Sequence, residues 1–339
     1  RMDKIKLAVI GLGKMGLSHL SIAGAHPSVE LVAAVDTATM VTDFLQKFSD
    51  IPCFNDTKKM LEQVTPDAVI IAVPTKYHAP LIQEFLEKNI HVFAEKPFTL
   101  SAADANRLTE LAASKKLVNQ VGYHNQFLGT FKELKKLLQL GAIGKLQHFT
   151  AEAYGPVITK PQPNTWRSNA SEGGGCLYDY ASHVLDLVNN CIAPVTEVKG
   201  SLLKNIYSAQ TEDAVYSLLG LSTGLTGVIS VNWSDTTYRK MSTQLTITGS
   251  NGKIICDATE LKLFLQTPVA SLQYTEGWNI LSVGELQEPV NFYLRGEEYS
   301  AQLDYFIAAV QGLVPNTTNT FAAAALTDNA IELIKKSAK

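Results

Sequence analysis

Ile5-Lys6-Leu7-Ala8-Val9-Ile10-Gly11-Leu12-Gly13-Lys14-Met15-Gly16 is the stretch whose reading decides the fold. Lys4 to Ile10 is apolar and rich in β-branched residues, the composition of a strand buried on both faces. It runs directly into three glycines spaced G-x-G-x-x-G and then into a helical segment from about Met15 to Ala25. Each glycine has its own task. Gly11 permits a sharp turn, Gly13 leaves room for a pyrophosphate against the backbone, and Gly16 lets the helix pack close to the strand.

Working outward, Lys14 and Met15 open a helix whose N–H groups and positive dipole end suit phosphates. Val29 to Val35 reads as the second strand and stops on Asp36, about 20 residues past the third glycine, as in dinucleotide-binding folds. A carboxylate there accepts hydrogen bonds from an adenosine ribose and repels a 2′-phosphate. Thr37, Ala38 and Thr39 bring no Arg or Lys to offset that charge. NAD is therefore the expected cofactor, rather than NADP. The glycines alone also describe an ordinary strand-to-helix loop. The strand before, the helix after and the acidic residue together carry the dinucleotide reading.

A length of 339 residues suggests two domains, each with its own core. Hydrophobic content of 46% and charged content of 18% belong to an ordinary globular protein. A formal net charge of −3 leaves no electrostatic footprint for nucleic acid or an anionic membrane. No apolar run approaches the roughly 20 residues of a membrane span, and no signal segment is expected at the start. Arg1 ahead of Met2 reads as a remnant of recombinant expression. The cysteines Cys53, Cys176, Cys191 and Cys256 are scattered without a CxxC. That argues against a disulfide framework or a structural zinc and fits a cytoplasmic location.

The first third alternates strand and helix. Strands are expected near Ile51–Phe54, Ala68–Val73, His91–Ala94 and Leu117–Gly122, with helices between. Ser101 and Asp104 form an N-cap pair for one of those helices. Repeated βα units predict a doubly wound parallel sheet with ligands beyond the C-terminal ends of its strands. After Gly122 the pattern changes. A helix from about Thr130 to Leu140 leads to a strand, Leu146 to Tyr154, and then a Gly-rich segment at Gly173. From Val195 to about Gln266 strand follows strand, so this second sheet should be antiparallel or mixed, and Asn251-Gly252 signals a hairpin. Helices near Glu298–Gln311 and Thr320–Lys336 finish the chain. The fold class is α/β, divided into a dinucleotide-binding domain over 1–122 and a substrate-binding and oligomerisation α+β domain over 123–339.

Further motifs occur in a set order: Val73-Pro74 and His78, Glu95-Lys96-Pro97, Trp166-Arg167, and Gly173-Gly174-Gly175-Cys176-Leu177-Tyr178-Asp179-Tyr180-Ala181-Ser182-His183. With the glycine loop, this series resembles the Gfo/Idh/MocA oxidoreductases across essentially the whole chain. The resemblance implies a Rossmann domain, a second domain with a large open sheet, and NAD(H)- or NADP(H)-dependent oxidation or reduction of a carbinol carbon on a sugar, cyclitol or nucleotide-sugar. It implies that Lys96 touches the nicotinamide ribose and the substrate hydroxyl, and that Asp179 and His183 flank the reacting carbon. Val73, Pro74, His78, Glu95 and Arg167 are the further expected cofactor contacts, with His78 otherwise a helix-start histidine and Arg167 otherwise a substrate contact; Tyr123, Asn125 and Tyr154 are the further expected substrate contacts, with Tyr154 otherwise core. Tyr178, Trp233 and Tyr238 are candidates for a sugar pocket or for plain core. Thr75 stands where many relatives carry Asn, and Gln126 where they usually carry Arg. A homodimer or homotetramer is the expected assembly.

The chemistry of the residue types agrees. Hydride removal from an alcohol leaves a hydroxyl proton, and a base near its operating pH takes it best. His starts at about 6.5, and Lys at about 10.4 suits polarising the oxygen. His183 is therefore the expected proton acceptor, Lys96 the electrostatic support, and Asp179 the group that positions the sugar. On a helix, Asp179 and His183 share one face. An exposed i,i+4 pair, or a solvated lysine at a strand end, would look the same in isolation. A metal centre on Asp179 and His183 lacks a third ligand. Two other functions exist on the same scaffold: glycoside hydrolysis through transient oxidation, and non-enzymatic sensing of NAD or a sugar.

Overall fold

Ile5–Ile10 (β1), Val29–Val35 (β2), Cys53–Phe54 (β3), Ala68–Ile71 (β4), His91–Ala94 (β5) and Asn119–Val121 (β6) pair in the order β3-β2-β1-β4-β5-β6. Every pair is parallel. The computed structural model describes residues 3–338. Arg1, Met2 and Lys339, and with them the reading of Arg1 as an expression remnant, lie outside the described residues.

Alternation along each central strand supplies two cores. Ala8 and Ile10 of β1, Val69 and Ile71 of β4, and Val92 and Ala94 of β5 point into one. Leu7, Val9, Ala68, Ile70 and Phe93 point into the other. A parallel sheet needs both faces covered, because its crossover helices lie on either side. Helices 57–63, 78–87 and 102–114 bring Met60, Ile82, Phe85, Leu86, Ala105, Leu108 and Ala112 to the first core. Helix 14–25 brings Leu20 and Ala23 to the second. Ser101 caps helix 102–114 as expected, accepting from the Asp104 backbone N–H.

The second core is completed from far along the chain. Helix Glu297–Val310 contributes Leu303, Phe306 and Ile307, and Phe93 meets Phe306 edge-on at 5.8 Å. Two compact units result. One holds the residues up to His124 together with Pro289–Ala325; the other holds Asn125–Glu288 and the residues from Leu326 onward. The division read from sequence put all of 123–339 in the second domain. It differs because periodicity shows that a helix has an apolar face but not which sheet that face covers.

Within the second unit, Leu146–Tyr154 (β7), Val195–Lys204 (β8), Ala214–Leu221 (β9), Thr226–Asn232 (β10), Ser242–Gly249 (β11), Gly252–Asp257 (β12), Glu260–Leu265 (β13) and Gly277–Ser282 (β14) form an open sheet. Its order is β14-β13-β12-β11-β7-β10-β9-β8. Only β7 and β10 pair parallel; the other neighbours are antiparallel. The expected parallel sheet and large, mostly antiparallel sheet are thus both present. The hairpin at Asn251 forms with Ser250 and Asn251 between the paired Gly249 and Gly252. Strand β14 had not been read from sequence. It is an edge strand with Trp278 and Ile280 exposed, so its alternation marks no buried face. Among the described residues no helix is long and apolar enough to cross a membrane.

If helix 297–310 is part of the first unit's core, Phe306→Ala should destabilise that unit by about 3–5 kcal/mol in urea unfolding. A loss under about 1 kcal/mol would contradict the placement.

Candidate functional site

In the first unit, three loops follow strands β1, β4 and β5, which are neighbours in the sheet. The loop after β1 carries the glycines. Gly16 packs so closely that a Cβ there would lie 1.8 Å from the Gly11 carbonyl oxygen, which explains the third glycine without reference to any ligand. Gly13 is the opposite case: it is exposed, and a Cβ there would meet nothing within 4 Å. That open space lies over the first turn of helix Lys14–Ala25, where backbone N–H groups have no intrahelical acceptor. The cradle fits a pyrophosphate.

Asp36 closes this loop from the end of β2. Its Oδ2 accepts from the Leu12 backbone N–H at 2.7 Å and its Oδ1 from Ala38 N–H at 2.8 Å. Each carboxylate oxygen keeps a second lone pair, so the same group that holds the loop can also accept from ribose hydroxyls. The residues of this loop therefore fit a dinucleotide.

After β4, Val73 is half-buried and Pro74 exposed, but His78 lies 1% exposed inside the fold. Its Nδ1 stands 3.0 Å from the Phe98 carbonyl oxygen and its Nε2 3.0 Å from that of Val73. Burial pushes its pKa down, while the Phe98 and Val73 carbonyls act against that shift. Both ring nitrogens are engaged by backbone. The candidate cofactor contact thus stands as a strut between two loops, with its ring nitrogens turned to backbone carbonyls.

After β5 come Glu95 and Lys96, both half-buried, and a cis Lys96–Pro97 bond. Glu95 Oε1 lies 2.7 Å from His19 Nε2. Burial raises the Glu95 pKa, but the hydrogen bond and charge of His19, then the charges of Lys96 and His124, outweigh it and hold the carboxyl below its ordinary value. His124 stacks on Tyr299 with ring centres 4.4 Å apart. Its pKa is lowered to about 4: burial lowers it most, Glu95 opposes, and Lys96 and Arg295 lower it further. Sequence had missed His19 and His124. A signal for His19 existed, because it follows Gly16 by three positions and so lies on the helix face that meets the strand. Tyr123, an expected substrate contact, is 1% exposed within the first apolar core, where it packs rather than lines a pocket.

In the second unit, Leu177–Ile192 is one helix whose ends, Leu177–Ala181 and Val188–Ile192, are wound as π-helix around an α-helical centre. Such wide turns are frequent at functional sites. Asp179 lies in the first of them and His183 just past its end. His183 is buried at 3% exposure, whereas Asp179 is half-buried. Asp179 Oδ2 pairs with Arg167 Nε at 3.3 Å, and the Arg167 guanidinium lies 4.4 Å over the Trp166 ring. Arg167 thus meets Asp179, a partner its expected cofactor role had not named. Gly175, at φ +101°, brings the chain onto Glu212, whose Oε1 accepts from Leu177 N–H at 2.8 Å and caps the helix. Nothing in the local sequence announced Glu212.

The remaining candidates separate. Asn125 is buried. Tyr154 sits on the open face of the second sheet, opposite Phe149, Ala151 and Ala153, with its hydroxyl 2.8 Å from Ser230 Oγ and its ring 5.6 Å from Tyr238. The helix 177–192 packs on the other face, so strand alternation removes Tyr154 from the group that holds Asp179 and His183. Trp233 is fully buried and donates from Nε1 to Asp213 at 2.7 Å, and is therefore core. Gln126 donates to Asp186 Oδ2 at 2.9 Å, and Asn190 to its Oδ1 at 2.9 Å. Burial drives the Asp186 pKa up to about 7, against these two amides and Lys135.

Comparison with known proteins accords with this geometry. Residues 5–123 match the family model described as "Oxidoreductase family, NAD-binding Rossmann fold", and residues 131–255 match the GFO/IDH/MocA C-terminal domain. The chain belongs to the Gfo/Idh/MocA oxidoreductase family. Among curated Gfo/Idh/MocA relatives, the inositol 2-dehydrogenase of Rhizobium meliloti is 25% identical over 97% of both chains. An uncharacterized oxidoreductase of Schizosaccharomyces pombe is 27% identical over 55% of this chain, an alignment that spans only 51% of that protein. Alignment with the oxidoreductase YdgJ of Escherichia coli spans 62% of that protein. The fold matches a levoglucosan dehydrogenase solved in complex with NADH at a TM-score of 0.86, with 19% identity over 99% of this chain and 97% of that one.

The Asp186 shift has a definite sign. Its folded pKa of about 7 lies above the ordinary 3.8, so the stabilising form is the protonated one. Its contribution is complete below about pH 4 and is lost as pH rises toward 7, by at most about 1.4 kcal/mol per pH unit. Asp186→Asn lacks this loss. The stability of wild type minus that of the variant, from denaturation at pH 4 to 8, should therefore fall as pH rises. A difference independent of pH would contradict the buried neutral carboxyl.

Proposed function

We propose that this chain is an NAD(H)-dependent oxidoreductase that transfers a hydride to or from a carbinol carbon of a sugar, cyclitol or nucleotide-sugar. The observation that carries it is the pairing of two chemistries in one family scaffold: a phosphate cradle closed by Asp36, and an imidazole with a carboxylate on one irregular helix. A bound NAD supplies the hydride acceptor. Lys96 contributes the positive charge that polarises the reacting oxygen. His183, buried away from bulk water, takes the hydroxyl proton, and Asp179, steadied by Arg167, accepts a hydrogen bond from the sugar. The carboxylate of Asp36 favours NAD by repelling a 2′-phosphate.

The substrate class is supported by relatives named as inositol dehydrogenases and by a fold neighbour named as a levoglucosan dehydrogenase. A homo-oligomer and a cytoplasmic location complete the proposal. Leu202, Leu218, Trp278 and Ile280 are exposed on the open face of the second sheet, the kind of surface a second copy covers, and all four cysteines are free.

Purified protein with NAD, screened against inositols, aldoses, uronates and nucleotide-sugars, should accumulate NADH with at least one polyol. Lys96→Ala and His183→Ala should each lower kcat/KM by about 100-fold or more. Wild-type turnover in both variants would refute the assigned roles, and product release without net NADH would favour the hydrolase alternative.

A further inference from the structure

One short contact ties the phosphate-binding helix to the Glu95-Lys96 segment. His19 is fully buried, edge-on to Phe93 at 5.2 Å and 67°, and its Nε2 lies 2.7 Å from Glu95 Oε1. Its Nδ1 has no hydrogen-bond partner among the described residues, so the ring is held through Nε2, whose N–H donates to the carboxylate. The other carboxylate oxygen, Oε2, accepts from the Lys96 backbone N–H at 3.1 Å. A third wall is bare backbone. A Cβ on Gly122 would come within 2.9 Å of Oε2, and Gly122 is itself pinned by its N–H to the Ala94 carbonyl at 2.8 Å.

A ring, an amide and a glycine thus fix one carboxylate immediately before Lys96. Burying a carboxylate costs free energy unless it is paired, and a packed apolar side chain would fill the same space without that cost. An apolar side chain would not, however, place a fixed negative charge next to the lysine. The titratable groups near this carboxylate are His19 from helix 14–25, Lys96 itself, His124, His78 and Tyr299.

We propose that His19 and Glu95 are positioning residues for Lys96, a brace that fixes the carboxylate bonded to the Lys96 backbone and couples the lysine's segment to the helix of the glycine loop. This rests on the role given above to Lys96. The brace acts in the ligand-free protein, because every contact in it is between residues of the chain.

The test compares wild type with His19→Leu, His19→Gln, Glu95→Gln, Gly122→Ala and Lys96→Ala. In the ligand-free protein, the rate at which acetic anhydride acetylates Lys96 at fixed pH is read by peptide mass spectrometry. Freed from the brace, the segment that carries Lys96 opens to the reagent, so Glu95→Gln and His19→Leu should raise that rate about threefold or more. Gly122→Ala, which pushes on the carboxylate, should raise it as well, and serves if either of the others fails to fold. His19→Gln retains a donor in reach and should stay near wild type. On a substrate found by the polyol screen, Glu95→Gln should lower kcat about tenfold or more with little change in the KM for polyol, the mark of an interaction used in the transition state. Unchanged acetylation in folded Glu95→Gln, His19→Leu and Gly122→Ala overturns the brace. Full turnover by Lys96→Ala overturns the role of the lysine instead, while the acetylation comparison still decides the brace.

Discussion

A parallel sheet cannot leave either face to water, and that constraint organises the first unit. Strands β1, β4 and β5 are apolar at every position that faces a core, so helices must cover both sides. Each crossover returns the chain to the same end of the sheet, which leaves the loops after these strands side by side along one edge. The glycine loop, the Val73–His78 loop and Glu95-Lys96-Pro97 gather there because the strands before them had to be buried. The same demand draws helix 297–310 back from late in the chain, with Phe306 seated on Phe93.

Charge is handled differently in the two units. In the first, half-buried carboxylates exchange water for fixed donors: Asp36 takes two backbone amides, and Glu95 takes His19 and an amide, which holds its pKa below the ordinary value. In the second, Asp186 accepts from the Gln126 and Asn190 side chains, and burial outweighs these amides and Lys135, so its pKa is pushed up instead of down. The presence of Gln126 at that position changes the protonation of its partner as well as its hydrogen bond.

Much of the fold was legible in the sequence because burial on one or both faces imprints a period. The parallel strands read as unbroken apolar runs, and β11, with its alternating burial, reads as a one-sided strand. Strand β14 escaped because both of its faces are partly open, and the late helix escaped assignment because its partner lies some 200 positions earlier. The candidate site divides along the same line. Asp36 and the glycines were legible because their spacing is local. The placement of Tyr154 and His78 was not, since each depends on which way a side chain points. His19 fell between: its spacing from Gly16 was visible, but its partner Glu95 was not.

With Asp36 at its end, the glycine loop should hold a dinucleotide lacking a 2′-phosphate. Titration of the purified chain with NADH and with NADPH, followed by nicotinamide fluorescence, tests it directly. The account predicts saturable binding of NADH at least about tenfold tighter than NADPH, the discrimination that one unfavourable charge contact of about 1.4 kcal/mol produces. Equal affinity, tighter binding of NADPH, or no binding of either would contradict it.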